Sequence, residues 1–193
     1  DLTRGDADTR TTGLQDEVSR LMPVIGETLA QLKAVHPTAR VALPTLRGVA
    51  DLVRSLSADW PIAPKIIEDA GLKRAAFAAA DVAIAASGTV SLELAANGCP
   101  MVIAYDMNPL TLWLMRRAAL IDTVTLVNLV SETRAVPEFI GERCRADLIA
   151  AALLDLLQNP GSQAQAMQLT MQRLGQGQQP PHLRAAASVL ANL

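Results

Sequence analysis

The residues with types and spacing suited to chemistry are concentrated in one short stretch. Ser87, Gly88 and Thr89 separate an apolar run at 82–86 from an alanine-rich helical pattern at 90–96. A helix that begins at such a tripeptide leaves its first backbone N–H groups without intrahelical partners, and its dipole makes that end positive. A phosphate placed there gains hydrogen bonds and a favourable field. Gly88 lets the backbone approach a ligand closely because no Cβ intervenes. The Ser87 and Thr89 hydroxyls can donate to a phosphate oxygen or cap the helix, and helix starts of this composition also occur with no ligand at all. Glu93 lies one turn further on. Helical side chains lean toward the N-terminus, so its carboxylate would come within reach of a ribose whose phosphates rest on the turn. The plainer alternative is an exposed glutamate that favours the dipole.

The elements around this stretch must place it at a strand end. The run at 82–86 reads as a strand, 90–96 as a helix, Asn97-Gly98 as its stop, and 101–105 as a second strand after Pro100. A strand, helix and strand so closely spaced form a βαβ crossover and hence a parallel sheet. In open α/β sheets ligands collect at the carboxyl ends of the strands, where Ser87-Gly88-Thr89 falls.

Upstream, Val18, Leu21, Met22, Ile25, Leu29 and Leu32 recur at helical spacing over about 15–35, with Pro23 inside the run as a candidate kink and Pro37 just past its end. VALP at 41–44 predicts a buried strand, 46–56 a helix, 61–67 an extended segment and 72–79 a short helix. Downstream the pattern predicts a helix at 110–119, a strand at 124–127 closed by Asn128, and helices near 145–157, 162–174 and 182–190. The polar start, 1–14, reads as a disordered lead-in. It precedes a Rossmann-like domain over 15–160 and C-terminal helices over 161–193. The expected fold class is α/β, a parallel sheet with helices on both faces.

Composition narrows the function. The chain has 193 residues, half of them hydrophobic, with a net charge of −2. It lacks the basic stripe of a nucleic-acid binder. Cys99 and Cys144 have no metal-ligand spacing and read as buried hydrophobes, while His36 and His182 belong to no ligand motif. No run reaches the roughly 20 apolar residues that span a bilayer, and the start has no signal-peptide pattern, so a cytoplasmic location is expected.

Several motifs then coincide. The stretch AAFAAADVAIAASGTVSLELAANGCPMVIAYDMNPLTLWLMRR at 75–117, with VTLVNLV at 124–130, VPEF at 136–139 and EVSRLMPV at 17–24, resembles the lipid-A-disaccharide synthase family. That resemblance implies the C-terminal, donor half of a two-domain B-fold glycosyltransferase. The implied donor is UDP-2,3-diacylglucosamine and the acceptor a lipid, 2,3-diacylglucosamine 1-phosphate. The implied reaction inverts the anomeric carbon and needs no metal or other cofactor, because a helix N-terminus and side-chain donors stabilise the departing diphosphate. It also implies that Ser87, Gly88 and Thr89 meet the diphosphate, that Glu93 meets the ribose, and that Asn128 lines the donor cleft. Glu138 reads equally well as a helix-start carboxylate.

Three features depart from the family pattern. Leu14, Gln15 and Asp16 stand where a Gly-Ser-Arg signature brings a cation, Asp106 replaces a basic residue, and Gly141 replaces a glutamine. The candidate general base belongs to the acceptor domain, outside these residues. A homodimer or a separate acceptor-domain chain is therefore an expected partner, and a non-catalytic UDP-binding or dimerisation remnant is the alternative function. A peptidoglycan glucosaminyltransferase fits less well, since the stretch from Tyr105 to Trp113 follows the lipid A pattern. Trp113, Leu110, Leu114, Arg116 and Arg117 form a candidate surface for peripheral contact with the inner face of the inner membrane.

Overall fold

A computed structural model describes residues 2–86, 88–106, 123–177 and 190, with side chains from Leu14 onward. The first helix, α1, covers Leu2–Val35. It therefore begins well before Gln15, and the segment expected as a disordered lead-in is helical. Extending a formed helix fixes one residue per new hydrogen bond, so a polar segment of few apolar residues can continue the helix that the packed half nucleates. Pro23 does not end α1. The helix is anchored instead by Leu21, Met22, Leu29 and Leu32, all buried.

The chain continues through β1 (Val41–Pro44), a 3-10 turn and α2 (Ala50–Leu56), β2 (Pro64–Ile67), α3 (Ala70–Ala79), β3 (Ala83–Ala85), α4 (Gly88–Ala96) and β4 (Met101–Tyr105). After residue 122 come α5 (Leu126–Ser131), β5 (Glu138–Ile140), α6 (Ala146–Gln158) and α7 (Ala164–Arg173). The helix expected at 110–119 lies outside the described residues, as does that at 182–190 apart from Leu190.

All described strand pairs are parallel. β1 pairs with β2, Val41 opposite Pro64. β3, β4 and β5 form a second sheet in that order, with Ala83 opposite Met101 and Ile103 opposite Glu138. The strand expected at 124–127 is instead a short lead at Val124 and Thr125 followed by the first two residues of α5, and the third strand of this sheet is β5. Val and Leu at 124–127 read as a strand by type, but one side of the segment must turn to cover α4, and a helix does that.

β4 is buried along most of its length because both sheet faces are covered. Met101 and Ile103 point into a core shared with Leu94, Val127, Met167 and Met171 from α4, α5 and α7. Val102 and Ala104 point the opposite way, into a core shared with Leu21, Leu29 and Leu32 of α1 and Ile149, Leu153 and Leu156 of α6. The near-continuous apolar run MVIA is what a strand buried on both faces requires. Gln163 is fully buried and completes the arrangement. Its Oε1 accepts from the Met101 N–H at 2.9 Å and its Nε2 donates to the Met101 carbonyl at 2.7 Å.

Candidate functional site

β3 ends at Ala85 and α4 starts at Gly88, so the helix opens at a strand's carboxyl end. Ser87, between them, lies outside the described residues. α4 is closed at its far end by a Schellman arrangement. Gly98 has a φ of +68°, its N–H donates to the Ala95 carbonyl at 3.0 Å, and the Cys99 N–H donates to the Leu94 carbonyl at 3.1 Å.

The open end is shaped differently. A Cβ on Gly88 would lie 2.5 Å from the Val124 carbonyl oxygen and 3.6 Å from the Leu126 nitrogen. The segment leading into α5 thus presses directly on the first residue of α4, and a glycine is needed there for close approach, not for an unusual φ. Inside the first turn, the Ser91 hydroxyl donates to the Gly88 carbonyl. Thr89 is exposed.

Glu93 is half-exposed and paired. Lys73 of α3 donates to both its carboxylate oxygens, at 2.9 Å to Oε1 and 2.7 Å to Oε2. The same ammonium sits 5.4 Å from the centre of the Phe77 ring, which limits where it can swing. Nothing local in the sequence announces Lys73, which stands 20 residues before its partner. α3 is itself started by Asp69, whose carboxylate accepts from the Leu72 N–H at 2.8 Å.

Asn128 is not at a strand end. It sits in the middle of α5, 1% exposed, and its amide is spent on its own chain. Nδ2 donates to the Val136 carbonyl at 2.8 Å and to Thr123 Oγ1 at 3.3 Å, while Oδ1 accepts from the Val136 N–H at 2.9 Å. The structure therefore brings Gly88, Thr89 and Glu93 together on one helix and sets Asn128 behind the segment that abuts it. Glu138 lies on β5, not at a helix start, and bonds to the same segment.

Other groups at the carboxyl edge escaped the sequence reading. Burial pushes the Tyr105 phenol at the end of β4 above its usual range; the Glu17 charge adds to this and Arg20 opposes it. Burial also raises the Glu17 carboxyl. Leu46 and Val124, each in a segment between elements, and Leu72, in the first turn of α3, are exposed. Both cysteines are buried and free, and burial holds each thiol up to about 11. A cavity of about 390 Å³ opens at the opposite end of α4, between Ala95, Gly98, Met167, Met171 and Gln172. Its lining is apolar and glutamine-rich and carries no charged side chain. Among the described residues no His, Cys, Asp or Glu cluster could hold a metal, and no helix is long and apolar enough to cross a membrane.

Parallel strands covered on both faces, with a nine-residue helix opening at a strand's carboxyl end, define an α/β domain of the Rossmann-like type. Residues 10–192 match the family model for lipid-A-disaccharide synthetase. The chain belongs to the lipid-A-disaccharide synthase family. It is 54% identical over 185 residues to the lipid-A-disaccharide synthase of Ruegeria pomeroyi, covering 92% of this chain and 46% of that one. It is 40% identical over 180 residues to the enzyme of that name from Rhodospirillum centenum, covering 91% and 45% respectively. A Rhodopseudomonas palustris relative of the same name is 40% identical over 179 residues, 91% of this chain and 46% of its own length. The chain thus spans less than half the length of the curated relatives it matches.

Proposed function

We propose that this chain is the nucleotide-sugar-binding portion of a lipid-A-disaccharide synthase. In that role it holds UDP-2,3-diacylglucosamine while the sugar passes to the 6-hydroxyl of 2,3-diacylglucosamine 1-phosphate and UDP departs. The observation that carries the reading is a family match over residues 10–192, a span that includes the α4 N-terminus at the end of β3. Ser87, Gly88 and Thr89 would receive the diphosphate on the unpaired amides of α4, where the helix dipole favours the charge that develops on the leaving group. Glu93 would accept from the ribose hydroxyls, held ready by Lys73. Asn128 would support the cleft from behind by fixing Thr123 and Val136.

The acceptor site and the general base would lie in the part of the relatives that this chain does not cover, supplied by further sequence or a partner chain. A protein handling a lipid acceptor would work at the inner face of the inner membrane, with the surface around Trp113 as the contact. That surface lies outside the described residues. The second reading, favoured by Leu14, Gln15 and Asp16 standing where the family pattern brings a cation, is a UDP-binding or dimerisation module without its own catalysis.

Calorimetry tests the proposal. UDP should bind with a Kd below about 1 mM, corresponding to about −4 kcal/mol or better. Glu93→Ala should weaken UDP more than inorganic pyrophosphate, because only UDP carries a ribose. Heat from UDP that is indistinguishable from buffer would reject the site, and equal losses for both ligands would reject the ribose contact.

A further inference from the structure

We propose that Glu138 is a positioning residue for the diphosphate-binding turn. One carboxylate oxygen, Oε1, accepts from the Val124 N–H at 3.0 Å, from the Thr125 N–H at 2.8 Å, and from the hydroxyls of Thr123 and Thr125. Four donors from three consecutive residues converge on one atom, and charge-assisted bonds of this kind are stronger than neutral ones. Thr123 and Thr125 are buried, so neither hydroxyl has water as a substitute partner. Asn128 binds the Thr123 hydroxyl from the other side.

The segment fixed in this way is the one that meets α4. Val124 is held by its N–H, and its carbonyl oxygen is the atom that a Cβ at Gly88 would approach to 2.5 Å. The chain of contact runs from Glu138 on β5, through the Val124 peptide, to the first residue of the turn. β5 is hydrogen-bonded to β4, which is hydrogen-bonded to β3, the strand that delivers the turn. The turn is thus gripped from both sides by one sheet: from β3 through the chain itself, and from β5 through Glu138. Displacing the Val124 carbonyl by a few tenths of an ångström would open the space that keeps Gly88 seated, and amides aimed at a phosphate lose most of their value when misaimed. The role rests on the proposed function, since it matters to a ligand only if the turn holds one.

The test uses the full 193-residue chain. Glu138→Gln keeps the shape and removes the charge; Thr125→Val removes one hydroxyl donor and guards against a misfolded Glu138 variant. The exposed Glu142→Gln serves as control. Well below the melting temperature, Glu138→Gln should weaken UDP and inorganic pyrophosphate alike, by about tenfold, or about 1.4 kcal/mol. Thr125→Val should weaken both by a smaller factor, and the control neither. Without ligand, the Gly88 and Thr89 amide resonances should move in Glu138→Gln and stay in place in the control. A lowered Tm with unchanged affinity for both ligands, or unmoved Gly88 and Thr89 amides, would overturn the inference and leave the proposed function standing. Failure of the unaltered chain to bind UDP would instead sink the proposed function, and the amide shifts would still decide whether Glu138 sets the turn.

Discussion

α4 has a glycine at each end, and the two glycines are there for different physical reasons. Gly98 is conformational. Its φ of +68° lies in the left-handed region, and a Cβ there would meet nothing within 4 Å. Gly88 is steric. Its φ is not positive, but a Cβ would strike the Val124 carbonyl oxygen at 2.5 Å. One end is an ordinary helix stop with empty space beside it. The other is a crowded junction between a helix start and a second segment, and crowding of backbone against backbone builds a place where amides are held still. The contrast separates an end that serves folding from the end to which the proposed function assigns a ligand.

Substitutions at Leu94, Gly88 and Gly98, and thiol labelling, sharpen or break that contrast. The largest stability effect belongs to the folding end. Leu94 is 1% exposed and accepts from Cys99 through its carbonyl in the Schellman turn. Leu94→Ala should cost about 2–5 kcal/mol in denaturant unfolding. UDP affinity measured well below the transition should survive, and its loss would show that the two ends are coupled.

Gly88→Val should cost about 1–3 kcal/mol, because the added carbons press on backbone that cannot rotate away. It should also remove measurable UDP binding. A variant that melts lower yet binds UDP normally would show that the junction is structural only.

Gly98→Ala should cost about 1–2 kcal/mol from the left-handed φ alone, read as a shift in the unfolding midpoint, with UDP affinity unchanged. Gly98→Asn, a residue that tolerates this region, should recover part of the loss.

The smallest effect is chemical. With its thiol held up to about 11, Cys99 favours the neutral form in the fold, so at about pH 8 only about one part in a thousand is thiolate. Thiol reagents should leave both cysteines unlabelled near pH 8, and labelling should rise as the pH climbs toward 11. Faster Cys99 labelling in Gly98→Ala would report opening of the folding end. Rapid labelling of the unaltered chain would contradict the burial.

Much of this arrangement was legible in the sequence. The βαβ unit, the parallel sheet, the helix that opens beside Gly88 and the stop at Asn97-Gly98 follow from strand-length apolar runs and turn residues that need only local information. What escaped depended on partners far along the chain. Glu138 next to Pro137 read as a helix start, yet it is a strand residue whose meaning lies in Thr123, Val124 and Thr125, more than ten positions earlier. Lys73 had no signal because Glu93 is its reason for being where it is. Val124 to Val127 has strand composition, and the helix at Leu126–Ser131 is selected by the need to cover α4 and α7, which residue type does not record. Asn128 looked like a strand cap for the same reason. The polar start looked disordered because polarity describes what a segment can bury, not whether a helix nucleated downstream can extend through it.

The central claim is that the diphosphate of a sugar nucleotide rests on the opening turn of α4. Titrating UDP into the isotopically labelled chain while following backbone amides tests it directly. The account requires the largest, saturable shifts at Gly88 and Thr89, with Val124 and Thr125 responding through contact and Ala95 and Gly98 unmoved. Shifts concentrated instead around Gly98, Met167 and Met171, beside the cavity at the far end of the helix, would contradict it.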